Sequence, residues 1–190
     1  MCAGAHVYEL VFPIFEMTPK HVAKRYIIWL VSGTPGTGKT TLAHQIAPLL
    51  HATILEEKTL ARKKRIGAWN SRTKEYEVDL PSLKKELLSR ITHTRKNLVI
   101  VGHLSCEFSL PVNQVIVTHC PRSTLEKRLR QRKYSELKIQ ENVYCEEENY
   151  VLENVKKHYP RSNIRVVSTH RPKKGVPPSI LRIIRSLTNN

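Results

Sequence analysis

The stretch Gly33-Thr-Pro-Gly-Thr-Gly-Lys39-Thr40-Thr41 constrains this chain more than any other. Its spacing, Gly-x-x-x-x-Gly-Lys-Thr, is that of a phosphate-binding loop. Glycines let consecutive backbone N–H groups turn inward around a polyphosphate, the lysine ammonium reaches the terminal phosphates, and the threonine hydroxyl ligates Mg²⁺. The flanks agree with that geometry. Tyr26 to Val31 is an apolar run of strand length, and Thr41 to Leu50 carries Leu42, Ile46 and Leu49 at helical spacing. Strand, loop and helix start in that order seat an anion on a helix N-terminus. A glycine-rich turn with no ligand leaves the placement of Lys39 and Thr40 unexplained.

The remaining pattern alternates strands with helices. Strands are expected at Ala52 to Leu55, Asn97 to Val101, Val115 to Val117 and Ile164 to Val167. Helices are expected from Glu56 to about Gly67, from Asp79-Leu-Pro81 onward with Leu83, Leu87 and Ile91 as its stripe, and from the capping-box signature Ser123-x-x-Glu126 with Leu125 and Leu129 facing inward. A long helix from Ser135 to about His158, striped by Tyr144, Val151, Val155 and Tyr159, precedes a last one over Ile180 to Leu187. Ala68 to Glu77 is polar and weakly patterned, and Pro48 must end or bend the first helix. This alternation predicts an α/β fold whose sheet is mainly parallel, with helices on both faces.

A length of 190 residues suits one domain, here residues 23–190, and 40 % hydrophobic residues suffice for a core. Residues 1–22 read as an N-terminal extension, with Met17 an alternative start. No apolar stretch reaches membrane-spanning length. Cys2, Cys106, Cys120 and Cys145 form no CxxC pair or disulfide framework, which points to a reducing, cytoplasmic setting. Zinc spacing is also lacking. A net charge of +16 predicts affinity for polyanions. The basic clusters Arg62 to Arg65, Lys127 to Lys133 and Arg171 to Lys174 fit either RNA contact or a solvated surface.

The size leaves little room for a helicase or motor core, and the absence of an Asn-Lys-x-Asp stretch argues against a GTPase. The basic helix–break–helix over Arg128 to Asn142 resembles the short lid of nucleoside monophosphate kinases, which brings arginines over the transferring phosphoryl group. More specifically, the phosphate loop through Leu42, Leu60-Ala61-Arg62, Gly102-His103-Leu104-Ser105 and the run Arg132-Lys133-Tyr134 to Lys138-Ile139-Gln-Glu-Asn142 resemble the adenylate kinase isoenzyme 6 family, its archaeal branch above all. Coverage runs from about Tyr26 to Thr169.

The resemblance implies a five-stranded parallel sheet of the nucleoside monophosphate kinase type and adenylate kinase activity with ATP hydrolysis beside it. ATP would lie on Gly36, Gly38, Lys39, Thr40 and Thr41, with Mg²⁺ on Thr40 and Arg132 over the phosphates from a lid at 132–142. The acceptor nucleotide, AMP-like, would lie near an insert at 59–78, with Arg62 as its phosphate clamp, and Arg171 would flank the adenine. Lys138 and Asn142, one helical turn apart, would touch phosphate or support the lid. Partners would be a small-subunit ribosomal platform protein and rRNA.

At one position the chain departs from the family. An acidic residue-x-His pattern is expected after the third strand, with the acid serving Mg²⁺ or water, and here the acid is replaced by Val101. Glu107 is a candidate substitute, and His103 either positions the attacking water or packs in its loop. Two functions follow from the resemblance, phosphotransfer to a nucleoside monophosphate and ATP-gated small-subunit assembly. Val101 motivates a third, a catalytically weakened module that binds RNA or a ribosomal protein.

Overall fold

The computed structural model describes residues 26–72, 75–170 and 175–188. The N-terminal extension and Arg171 lie outside them. Five parallel strands form the central sheet. They are β1 (Ile28–Ser32), β2 (Ala52–Glu56), β5 (Asn97–Val101), β6 (Gln114–His119) and β7 (Ile164–Ser168), in the order β2-β5-β1-β6-β7. Between them come β3 (Ala68–Asn70) and β4 (Glu75–Glu77), a separate antiparallel pair. The helices are α1 (Lys39–Ile46), α2 (Glu57–Lys64), α3 (Leu80–His93), α4 (Arg122–Gln131), α5 (Glu136–Glu147), α6 (Tyr150–His158) and α7 (Pro178–Thr188). No helix among the described residues is long and apolar enough to cross a membrane.

β1 lies at the centre because both of its faces are apolar, and all of its residues are buried. Ile28 and Leu30 face one core, with Leu60 of α2, Leu83, Leu87 and Ile91 of α3, and Val151 and Val155 of α6. Trp29 and Val31 face the other, with Leu42, Ala43 and Ile46 of α1 and Ile180 and Ile184 of α7. Val101 belongs to this second core, 4 % exposed and level with Val31 across the sheet. A third cluster joins Leu125 and Leu129 of α4 to Ile139 and Val143 of α5 and to Cys120, which fixes the α4–α5 pair to the end of β6. Glu146, almost wholly buried on α5, accepts from the Cys120 N–H at 3.0 Å and adds a second tie.

Helix punctuation follows local chemistry. Pro48 does end the first helix, since α1 stops at Ile46 and a 3-10 turn takes over Pro48–Leu50. Asp79 caps α3 by accepting from the Ser82 N–H at 3.0 Å, with Pro81 in the first turn.

Three expectations need correction. The helix expected from Ser135 to His158 is two helices, because Asn149 takes a left-handed conformation (φ 52°) between α5 and α6. That break turns Tyr144 out of the stripe to 66 % exposure, while Val151, Val155 and Tyr159 stay buried. α4 starts at Arg122 after Pro121, so Ser123 lies inside its first turn and is not its cap, although Leu125 and Leu129 do face inward. Finally, Ala68 to Glu77 holds a hairpin, with Trp69 opposite Tyr76. Leu129 has no exposed surface and lies against Gly36. Leu129→Ala is expected to lower unfolding free energy by about 2–5 kcal/mol in a urea titration, the usual cost of a core leucine truncation.

Candidate active site

The phosphate loop joins β1 to α1, and several of its carbonyls are held by side chains, from the loop itself and from distant parts of the chain. Lys39 donates to the carbonyls of Gly33 at 2.7 Å and Thr34 at 3.0 Å. The Thr37 N–H also donates to Thr34, at 3.1 Å. Arg128 of α4 reaches the Gly36 carbonyl at 3.3 Å, and the Thr169 hydroxyl donates to Thr37 at 2.6 Å. Thr118, at the end of β6, pairs hydroxyl to hydroxyl with Thr37 at 2.7 Å and donates to the Ser32 carbonyl at 3.2 Å. The loop is thereby tied to β6, α4 and the end of β7. Gly33 has φ 147°, and a side chain there would strike the Thr118 carbonyl, so glycine is required on both counts.

A cleft of about 540 Å³ opens from the loop, lined by Gly36, Gly38, Thr41, Arg128, Arg132 and Thr169 among others. Lys39 lies at its start. The protein packed around the ammonium, and after it the charge of Arg132, lowers the Lys39 pKa to about 8, against the opposing pull of Glu57. Thr40 and Thr41 present exposed side chains in the first turn of α1, beside N–H groups that have no partner within the helix. Thr40 is a hard oxygen donor, and among the described residues no cluster of His, Cys, Asp and Glu could hold a metal ion. That donor set fits Mg²⁺, which takes one or two protein oxygens and otherwise phosphates and water.

His103 follows β5 and precedes the 3-10 turn Leu104–Cys106. Crowding by surrounding protein, then the charges of Lys39, Lys58 and Lys138, lower its pKa to about 4, so the imidazole is neutral at physiological pH. Glu107, the candidate substitute for a missing acid, turns elsewhere. It accepts from Asn154 of α6 at 3.4 Å and from the Cys106 thiol at 3.4 Å. A buried carboxyl group that does act on Lys39 is Glu57, which no pattern in the sequence flags, since an acid in a first helical turn usually faces solvent. It is 1 % exposed and accepts from the N–H groups of Leu104 at 2.9 Å and Ser105 at 3.2 Å.

Lys138 of α5 pairs with Glu75 of β4 at 2.7 Å and with Glu141 at 3.2 Å. Asn142 is buried and donates to the Lys138 carbonyl at 2.6 Å, within α5. Arg62 is exposed in the last turn of α2, one turn beyond Lys58 on the same face. Arg128 was hidden in the sequence among its basic neighbours. Spacing could have found it, because it precedes Arg132 by one helical turn and so points to the same cleft.

The AAA domain family matches residues 30–149. A protein named "Putative adenylate kinase" from Pyrococcus furiosus is 34 % identical over 163 residues, 84 % of this chain and 85 % of that one. The adenylate kinase isoenzyme 6 homolog of Caenorhabditis elegans is 32 % identical over 133 residues, covering 68 % and 72 % of the two chains. The chain belongs to the adenylate kinase isoenzyme 6 family. Members of this family are phosphotransferases, and the fold agrees. Shikimate kinase from Acinetobacter baumannii superposes with a TM-score of 0.54 at 18 % identity, over 91 % of this chain and 98 % of that one. The five-stranded parallel P-loop kinase architecture is thus shared with enzymes of distant sequence.

Thr118→Val removes the hydroxyl that joins Thr37 to Ser32 and leaves a buried acceptor without its donor. It is expected to destabilise the protein by about 1–3 kcal/mol, measured by chemical denaturation.

Proposed function

We propose that the chain transfers the γ-phosphoryl group of ATP to a nucleoside monophosphate of the AMP type. The cleft supports this reading most directly, because it runs from a phosphate loop past two arginines into a volume that accommodates a nucleoside. Gly36, Gly38, Lys39, Thr40 and Thr41 would cradle the triphosphate, and Thr40 would hold Mg²⁺. Bound there, Mg²⁺ supplies charge neutralisation between the β- and γ-phosphates. Arg132, exposed at the C-terminus of α4, would neutralise charge that spreads over the transferring group, and Arg128 would brace the loop from beneath. Arg171 would flank the adenine.

The acceptor would enter between the insert at 59–78 and the lid at 132–142, with Arg62 on its phosphate. An acceptor phosphate oxygen attacks the γ-phosphorus, the bond to the β–γ bridging oxygen breaks, and two diphosphates leave. No protein nucleophile and no net proton transfer are needed. A neutral His103 can accept a hydrogen bond from water when the acceptor is absent, which accounts for a slower ATP hydrolysis beside the kinase reaction.

A second reading has ATP turnover gating small ribosomal subunit assembly in the cytoplasm, through a platform protein and rRNA. The net charge of +16 favours it, as do the exposed Arg62, Lys63 and Arg65 at the end of α2. A Lys39→Ala strain with normal small-subunit rRNA processing would argue against it. A catalytically weakened binding module, suggested by Val101, would show turnover equal to a Lys39→Ala control.

Two outcomes test the kinase reading. MgATP with AMP should yield ADP, and Lys39→Ala should lower that rate by roughly 10²–10³-fold, as loss of a donor to developing charge does. ATP binding without ADP formation from any monophosphate would sink it. The second outcome concerns pH. Lys39 binds phosphate in its charged form, and its pKa is lowered to about 8. ATP affinity should therefore hold from pH 6 to 7 and weaken as pH rises through about 8, which calorimetry at several pH values will show.

A further inference from the structure

One buried carboxyl group close to Lys39 has no part in the transfer described above. Glu57, the first residue of α2, has been taken out of water, which is costly for a charged group unless it is hydrogen-bonded. Its bonds do not serve its own helix. They go to the N–H groups of Leu104 and Ser105, in the loop that carries His103. The loop is shaped to admit it, since a Cβ on Gly102 would overlap the Glu57 carboxylate. β2 delivers it there: Glu56 is level with Val101 across the sheet, so the next residue arrives beside the loop that leaves β5. Burial raises the Glu57 pKa, against the hydrogen bonds from the loop and the opposing charge of Lys39. A side chain needed only to fill this space would be apolar and would offer no acceptor to those two N–H groups.

We propose that Glu57 is a positioning residue for phosphoryl transfer, its carboxyl oxygens holding the Gly102–Ser105 loop and with it the placement of His103. The inference rests on the kinase reading of the site. Glu57 also returns an acid to the strand edge where Val101 supplies none.

The test compares the full chain with Glu57→Gln and Glu57→Asp. Kinetics with MgATP and AMP, calorimetry of ATP in EDTA, and hydrogen exchange at Leu104 and Ser105 are measured on each. Glu57→Gln turns a donor toward one of the two loop N–H groups, so it is expected to lower kcat by roughly tenfold or more while ATP affinity stays within about twofold of the parent. Amide exchange at Leu104 and Ser105 should quicken. Affinity and kcat that fall together, or that both stay unchanged, overturn the proposal. Should Glu57→Gln not fold, Glu57→Asp decides. That variant keeps the carboxyl group but withdraws it from the loop, so kcat should again fall with ATP affinity within about twofold of the parent, and parent-like kcat overturns the proposal. A parent chain that binds ATP and forms no product sinks the kinase reading instead. Hydrogen exchange then decides Glu57 alone: faster exchange at Leu104 and Ser105 in Glu57→Gln supports it, and parent-like exchange overturns it.

Discussion

A loop that turns its N–H groups toward a ligand must turn its carbonyls toward the protein, and those carbonyls need donors. Much of this structure follows from that need. Lys39 supplies donors to Gly33 and Thr34, Arg128 to Gly36, and Thr169 to Thr37. The donors come from α1, from α4 and from the segment after β7, so the ends of three elements must converge on a few residues after β1. A parallel sheet with β1 at its centre achieves this, because every strand ends at the same edge. Thr118 completes the arrangement by tying the loop to β6, the strand next to β1.

Features governed by short-range rules were legible in the sequence. The phosphate loop, the buried strands, the Asp79 cap and the stop at Pro48 each depend on a few neighbouring residues. The hairpin at Ala68–Asn70 and Glu75–Glu77 was not legible, because three-residue strands in a polar stretch show no alternation long enough to recognise. The break at Asn149 was missed because helical periodicity continues on both sides of a single left-handed residue. In the site, Lys39 and the threonines were fixed by spacing. Arg128 could have been found one helical turn before Arg132, but not its contact with Gly36, 92 residues away, and Glu57 acts across 47 residues on Leu104. Glu107 failed as a substitute acid because proximity in sequence to His103 did not put it on the same side of the loop.

The electrostatics of the cleft are unbalanced without a ligand. Lys39, Lys58 and Lys138 all act on His103, and Arg132 acts on Lys39. Such a group of cations repels itself, and a polyphosphate relieves the repulsion. Ligand binding is therefore a contribution to folding stability as well as a step in turnover. The neutral His103 and the lowered Lys39 pKa are two results of the same crowding, and both ease once an anion occupies the cleft.

The pair between Lys138 and Glu75 joins α5 to β4 of the separate antiparallel pair. Both partners are partly open to water, so separating them costs on the order of 0–1 kcal/mol. A bond that weak does not lock the two elements together. Its consequence is one of timing, because movement of either element is felt by the other through this contact. Displacements of α5 and of β4 become linked events, and salt, which screens this pair, becomes a control on how closely they are linked.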